Sequence, residues 1–354
     1  MLELEVVHQT RYDYAAPVSL AHHLAHLQPL HDAHQRLQSF ELLIDPPPAH
    51  ISQSLDADGN VQHHFSLSQA HRKLLVTARS RITLSPRFDG LRAEATDPWD
   101  TLAQSLRYVA GAIYESAVQW TLPSPFVPRL GDLRDFAVDV FEPGRPVAEV
   151  AIELMQRLHG SMVYESKSTD VDTPLQQVLQ TRRGVCQDFA HLMIGMLRMW
   201  GVPARYVSGY LLTRAPQDGS AMLGADASHA WVQVWCPPPS AGLPLDRDTP
   251  AANSGFWLDL DPTNKLIPSN GHVRVAVGRD FGDVTPLRGV IQGGGEHKLH
   301  VAVSTQMPAA PQTHPQTHRQ THPQTQTQPL TRTAFDEPTQ LVTPGPASAR
   351  NANC

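Results

Sequence analysis

One cysteine of the chain stands where a nucleophilic thiol is expected. From Phe189 to Trp200 apolar residues recur at helical spacing, and Gly201 follows as a stop signal. The pattern predicts a helix with Cys186 in its first turn, where free backbone N–H groups and the helix dipole favour the thiolate. The same N–H groups could bind the oxyanion of an acyl-transfer intermediate. Most single cysteines are small buried hydrophobic residues, so the thiol alone does not indicate an enzyme.

A histidine and an aspartate further along could complete a thiol-based site. His229 opens a predicted strand over residues 229–235, and Asp261 closes another over residues 256–261. If these strands pair antiparallel, the start of one lies beside the end of the other, and the imidazole meets the carboxyl group. Such a carboxylate fixes the tautomer of the imidazole and stabilises its charged form. Asp259 shares the face by alternation and is the second candidate for this carboxylate.

The other histidines and cysteines lack a comparable pattern. His191 lies five residues after Cys186, about 140° around the helix, and is expected to point away from the thiol. Cys236, directly before three prolines, is interpreted as a packing residue. No Cys/His cluster has the spacing of a zinc site, so neither a metal nor another cofactor is expected.

The chain before Cys186 divides into a β-rich part and a helical part. Residues 1–85 contain short β-rich runs separated by turn signals, which predicts a small β-sandwich domain. Residues 86–160 are expected to form a helical connecting part of the core. Their apolar residues repeat with helical period over residues 102–113 and again over residues 150–158.

The rest of the chain divides into a core and a tail. Residues 161–304 are expected to hold the three candidate site residues and the C-terminal strands. Residues 305–354 are low in complexity and rich in His, Pro, Gln and Thr, which predicts disorder.

Composition is typical of a soluble globular protein. The 354 residues are 41% hydrophobic and 18% charged, which is enough for two domains with a sizeable core. The net charge of −6, without a basic cluster, argues against nucleic acid or an anionic membrane as partner. No signal sequence or membrane span is predicted, so the cytoplasm is the expected location. Three widely separated cysteines indicate reduced thiols and no disulfide framework.

Together these motifs resemble the bacterial transglutaminase-like superfamily, whose core is related to papain-like thiol enzymes. Three segments carry the resemblance in the family's order, namely Arg183–His191, Ser228–Val232 and Asp261–Asn264. Flanking segments extend it to about residues 1–304, and these are His8–Tyr14, Asp58–Asn60, Gly278–Val284 and Gly289–Val290.

The resemblance implies an α+β fold and a Cys-His-Asp triad. The fold would be an N-terminal β-sandwich followed by a papain-like, transglutaminase-like core, with the cysteine on a helix that packs on an antiparallel sheet. Cys186 would be the nucleophile, His229 the base and Asp261 its partner. The family contains cross-linking acyltransferases, peptidases and amidases as well as members without activity.

The expected function is therefore thiol-dependent acyl transfer at an amide bond of a peptide, protein or small amide. Hydrolysis by a cysteine peptidase or amidase is favoured, because water is an abundant acceptor. The alternative is a protein-glutamine gamma-glutamyltransferase that cross-links its substrates, and a second alternative is a non-enzymatic binding scaffold. The oligomeric state stays open.

Overall fold

The computed structural model describes residues 1–111, 116–212, 228–237 and 255–308. Its α+β fold confirms the predicted class. None of the helices in these ranges is long and apolar enough to cross a membrane. The predicted disorder beyond residue 308 lies outside the described residues.

Strands dominate the start of the chain, and helices and strands mix after it. The α-helices are α1 (Trp99–Ser105), α2 (Gly131–Ala137), α3 (Val147–Ser161), α4 (Leu175–Thr181) and α5 (Cys186–Met199), with 3-10 turns at Ala93–Ala95 and Ser116–Thr121. The strands are β1 (Leu2–Ala25), β2 (Gln35–Asp45), β3 (His50–Leu55), β4 (Val61–Leu67), β5 (His71–Leu84), β6 (Val163–Tyr164), β7 (Arg183–Gly184), β8 (Ala204–Leu211), β9 (His229–Cys236), β10 (Phe256–Leu260), β11 (His272–Gly278), β12 (Leu287–Gly293) and β13 (His297–Gln306).

Strand β1 organises the N-terminal sheet. Its first half pairs antiparallel with β5 and β13, and its second half pairs with β4 and β12. Apolar side chains from both halves, among them Tyr14 and Ala21, share one core with Leu74 of β5 and Leu287 of β12. The N-terminal sheet is therefore completed by β12 and β13, two strands from the C-terminal part of the described chain.

A second sheet, in the order β10-β9-β8-β11, carries helix α5 against it. Helix α5 is apolar almost all round, with Phe189, Met193 and Met196 fully buried, which is typical of a helix enclosed by other elements. The other face of the sheet is also covered, since Val207 and Trp231 are buried there together. Because both faces are buried, the strands lack an alternation of buried and exposed residues.

Strand β11 is the edge of the second sheet, and side-chain amides of the N-terminal sheet bind its free backbone. Gln35 donates to the carbonyl of Arg274 at 2.7 Å and accepts from its N–H at 2.8 Å. Asn60 does the same at Val277, at 2.7 and 2.8 Å. Each amide thus takes the place of a neighbouring strand and satisfies backbone groups that would otherwise be buried without partners.

The predicted helical pattern holds in α3, whereas of residues 102–111 only those up to Ser105 lie in a helix. Residues 150–158 lie inside α3, as predicted. Helix α1 ends at Ser105, Val109 is 60% exposed, and Gly111 has a φ of +82° that breaks the helical course. Residues 112–115 lie outside the described ranges.

Gly209 of β8 allows the closest backbone approach in the second sheet. A Cβ at this position would lie 2.1 Å from the carbonyl oxygen of Val273 and 2.4 Å from the ring of Trp231. We therefore expect Gly209→Ala to lower the free energy of unfolding by about 3 kcal/mol, measured by urea titration. Gly160→Ala is the control, because nothing lies within 4 Å of a Cβ there. Equal stability of the two variants would contradict the described packing.

Candidate active site

Cys186 is the first residue of α5, as predicted, and a buried carboxylate holds the turn that presents it. Asp188 accepts the N–H of Val185 at 2.8 Å and the hydroxyl of Thr169 at 2.6 Å. Burial raises the pKa of Asp188, while both hydrogen bonds oppose that rise. A Cβ on Gly184 would lie 2.7 Å from the same carboxylate oxygen, so glycine leaves room for this cap. The thiol, which is free and half-buried, therefore lies on a fixed turn.

The structure brings His229 and Asp261 together. Strands β9 and β10 pair antiparallel, as predicted, and Nε2 of His229 lies 2.9 Å from Oδ2 of Asp261. Asp259, the second candidate, instead accepts the indole N–H of Trp231 at 3.1 Å and lies 3.8 Å from Nε of Arg87. Asp259 and Asp261 thus bind different side chains, and only Asp261 binds His229.

The charge of Asp261 controls the protonation of His229. Complete burial opposes the imidazolium, but the charge and hydrogen bond of Asp261 outweigh it and raise the pKa of His229 to about 10. A smaller contribution, also upward, comes from Cys186. Nδ1, the nitrogen that Asp261 leaves open, is buried and has no regular hydrogen-bond partner among the described residues. The sulfur therefore acts on the ring without a hydrogen bond of regular geometry.

Within the described part of the chain, five donors surround the carboxylate of Asp261. Oδ2 accepts from Nε2 of His229 at 2.9 Å, Nε2 of His272 at 3.0 Å and Nδ2 of Asn264 at 2.8 Å. Oδ1 accepts the backbone N–H groups of Thr263 and Asn264 at 3.0 and 3.1 Å. Burial would raise the pKa of Asp261, yet the two histidines hold it well below its usual range. The carboxylate is therefore ionised.

His272 is the residue that sequence reasoning missed. It opens β11, which is separated from β9 by β8, and its ring centroid lies 6.1 Å from that of His229. No short sequence motif contains both Asp261 and His272, which are 11 residues apart. The order of the strands brings them together. A prediction that β11 joins the same sheet would have been the signal.

The three side chains also form a donor set that could hold a metal ion. Nε2 of His229, Nε2 of His272 and Oδ2 of Asp261 lie within 4.8 Å of one another. Imidazole and carboxylate ligands suit Zn²⁺. Both nitrogens already share hydrogen bonds with the carboxylate, so a metal would have to displace those protons.

His191 and Cys236 occupy structural positions. Nε2 of His191 accepts the N–H of Phe281 at 3.1 Å, and its ring stacks on Phe126. Burial lowers the pKa of His191 to about 4, so the ring is neutral at physiological pH. Cys236 is fully buried, and burial raises the pKa of its thiol far above its usual value.

Comparison with known sequences identifies two family regions and a widely similar relative. Residues 4–83 match the bacterial transglutaminase-like N-terminal region, and residues 134–262 match the transglutaminase-like superfamily. An uncharacterized protein of Mycobacterium tuberculosis (strain H37Rv) is 38% identical over 299 residues, covering 83% of this chain and 89% of that protein. A protein-glutamine gamma-glutamyltransferase of Pseudomonas aeruginosa is 31% identical over 127 residues, 35% of this chain and 17% of that protein.

A solved structure shares the fold. The crystal structure of a "putative cysteine protease" from Cytophaga hutchinsonii covers 87% of this chain and 91% of its own, with a TM-score of 0.62 and 19% identity. At this identity the similarity concerns the fold. Together, the matched regions and the similarity along most of the chain show that this protein belongs to the transglutaminase-like superfamily.

Proposed function

We propose that the protein is a cysteine-dependent enzyme that transfers an acyl group from an amide bond. Cys186 is the nucleophile, His229 the general acid and base, and Asp261 the carboxylate that orients His229. One observation carries the proposal. The buried imidazole of His229 lies 2.9 Å from the ionised carboxylate of Asp261, and Cys186, at the start of α5, contributes to the raised pKa of the same ring.

The reaction begins with the Cys186 thiolate paired with the His229 imidazolium. The sulfur attacks the amide carbonyl, and the first-turn N–H groups of α5 stabilise the oxyanion. His229 then gives its proton to the leaving amine as the C–N bond breaks, which leaves a thioester on Cys186. An acceptor gives a proton back to His229, attacks the thioester and releases the thiolate. Asp261 keeps the ring in one tautomer throughout.

Water is the acceptor that we favour, which makes the enzyme a peptidase or amidase on a peptide, protein or small amide. Water needs no binding site of its own. A primary amine as acceptor is the alternative, and similarity to a gamma-glutamyltransferase over part of the chain favours it. We propose the cytoplasm as its location, because a reducing compartment keeps the nucleophilic thiol free.

Product analysis separates these two reactions. The full chain is incubated with a glutamine-containing peptide under three conditions: alone, with a primary amine, and with a chelator. The masses of the products are measured by mass spectrometry. We expect a cleaved or deamidated peptide in all three conditions, because the proposed chemistry needs no metal. An amine adduct as the main product would establish transfer, and neither product over a panel of peptides would count against an enzyme.

Thiol labelling separates an enzyme from a binding scaffold. At pH near 6 we expect iodoacetamide to label Cys186 stoichiometrically and far faster than Cys236 or Cys354, because the proposed mechanism pairs its sulfur with the His229 imidazolium. Peptide mapping assigns the label, and Cys354 serves as a further internal reference. Equal, slow labelling of all the thiols would favour the scaffold.

A further inference from the structure

We propose that His272 is a positioning residue that holds the Asp261 carboxylate for His229, and that Gln35 of the N-terminal sheet fixes its strand. The inference rests on the proposed function, because it concerns the group that would orient the base. It extends the site beyond three residues and makes the N-terminal sheet part of its support.

The first step is the shared oxygen. The N–H groups of His272 and His229 both donate to Oδ2 of Asp261, at 3.0 and 2.9 Å. Asn264 also donates to Oδ2, but it lies three residues from Asp261 on the same turn and moves with it. His272 instead reaches this oxygen from β11, a strand that carries neither His229 nor Asp261, and so ties the carboxylate to the far side of the sheet. The ring of Trp231 contacts His272 at an interplanar angle of 84° and a centroid distance of 5.2 Å, which limits rotation of His272.

The second step is the placement of the strand. His272 begins β11, whose backbone pairs with β8 on one side only. Arg274 lies two residues after His272, and the side-chain amide of Gln35 binds both its backbone N–H and its carbonyl. The amide N–H group of Gln35 also donates to the carbonyl of Leu30 at 2.7 Å. The N–H of Leu30 donates to the same Arg274 carbonyl at 3.0 Å. Hydrogen bonds from Gln35 of the N-terminal sheet therefore fix the position of the start of β11.

The third step is the charge around this junction. The guanidinium of Arg274 forms an ion pair with Asp32, and Arg87 binds Asp32 at 2.8 Å. Arg274 and Arg87 outweigh the effect of burial and lower the pKa of Asp32 to about 2. A small cavity of about 10 Å³ lies between His272, Arg87, Arg274 and Asp259. The junction is thus fixed by charge as well as by amide hydrogen bonds.

The test replaces His272 with side chains that differ in the reach of one N–H group. His272→Gln keeps a donor at the place of Nε2, since the amide nitrogen is equally far from Cβ along the side chain. His272→Asn is polar but one atom too short, and His272→Phe keeps the ring without the donor. The readout is the ratio of Cys186 alkylation rates at pH 6 and pH 9.5, which depends on pairing with His229.

If the proposed pairing with His229 holds, the wild-type alkylation rates at the two pH values should be similar and their ratio near one. His272→Asn and His272→Phe should lower the ratio about 10- to 100-fold, and His272→Gln should restore it to within about threefold of the wild type. Should His272→Phe fail to fold, as seen by circular dichroism, the Asn and Gln pair decides. A ratio unchanged in His272→Asn would overturn the inference.

His229→Ala distinguishes failure of this inference from failure of the proposed function. If His229→Ala lowers the ratio and His272→Asn does not, only the positioning role is wrong. If His229→Ala leaves the ratio unchanged, the thiol is not paired and the proposed function itself fails.

A matched pair tests the contribution of the N-terminal sheet. Gln35→Leu and Asn60→Leu each remove one amide clamp from β11, but Gln35 binds two residues from His272 and Asn60 binds five residues away. Both variants should melt at lower temperature than the wild type. Only Gln35→Leu should also lower the alkylation ratio, by about threefold to tenfold. Equal ratios in both variants would show that Gln35 acts on stability alone.

Discussion

Replacing Cys186 with serine should remove acyl transfer while leaving the fold intact. We expect kcat to fall by about 10⁴-fold or more, because a serine hydroxyl is a much weaker nucleophile than the thiolate that the proposed mechanism requires. The thiol is half-buried at the start of α5 and has no disulfide partner, so the free energy of unfolding should change by less than about 1 kcal/mol. The measurements are product formation at saturating substrate and urea titration.

Cys236→Ala is the control for this prediction. Cys236 is fully buried in β9 and belongs to the main core, so its truncation should cost about 1 kcal/mol of stability and little activity. The proposed function would be contradicted by a Cys186→Ser enzyme that keeps more than about a tenth of the wild-type rate, given the loss expected for a nucleophile.

Asp261→Asn should damage both the reaction and the fold. The variant loses the charge of the carboxylate, and its amide has only one acceptor oxygen. If that oxygen takes the place of Oδ2, the NH2 group meets the backbone N–H groups of Thr263 and Asn264, and in the other orientation it meets the N–H groups of both histidines. We expect kcat to fall by about 10⁴-fold, because His229 loses its tautomer and its stabilised charge. The free energy of unfolding at pH 6 should fall by roughly 3 to 5 kcal/mol, as for other broken buried ion pairs.

The stability cost of Asp261→Asn should depend on pH with a defined sign. The pKa of His229 is raised to about 10, so its contribution is complete below its unfolded value near 6.5 and is lost as pH rises toward 10. The pKa of Asp261 is lowered, so its contribution is present above about 3.9 and is lost in acid. Urea titrations should therefore show the largest difference from wild type between about pH 4 and 6.5.

Asp259→Asn is the matched control, since Asp259 is also buried, two residues earlier on the same strand, but binds Trp231 and Arg87. Its stability cost should not follow the window set by His229. A cost of Asp261→Asn that stays constant from pH 5 to pH 10 would contradict the described ion pair.

The parts of the site that could be predicted depend on local patterns. Helix α5 could be predicted from the spacing of its apolar residues and from the glycine that ends it. The approach of His229 to Asp261 could be predicted because β9 and β10 are consecutive strands that pair antiparallel. Alternation placed Asp259 and Asp261 on one face and could not separate them. The difference arises because the chain leaves β10 after Leu260, and Asp261 bridges to Leu266.

The parts that could not be predicted depend on contacts between distant segments. His272 reaches Asp261 only because β11 is added beyond β8, and strand order is not encoded in the alternation of either strand. Gln35 lies 239 positions from the residue whose backbone it binds. The apolar spacing predicted over residues 102–113 continues beyond Ser105, but α1 ends there, because spacing alone does not fix where a helix stops.

The pairing of β1 with β12 and β13 has a consequence for the order of biosynthesis. Strand β1 is translated long before its partners β12 and β13, which end at Gly293 and Gln306. Because His272 and the backbone that Gln35 binds both lie in β11, the nascent polypeptide cannot assemble this support of Asp261 before residues 272–278 have been translated. Cys186 is therefore translated before His229, Asp261 and His272, and under the proposed function the growing chain carries a thiol that cannot yet react as a nucleophile.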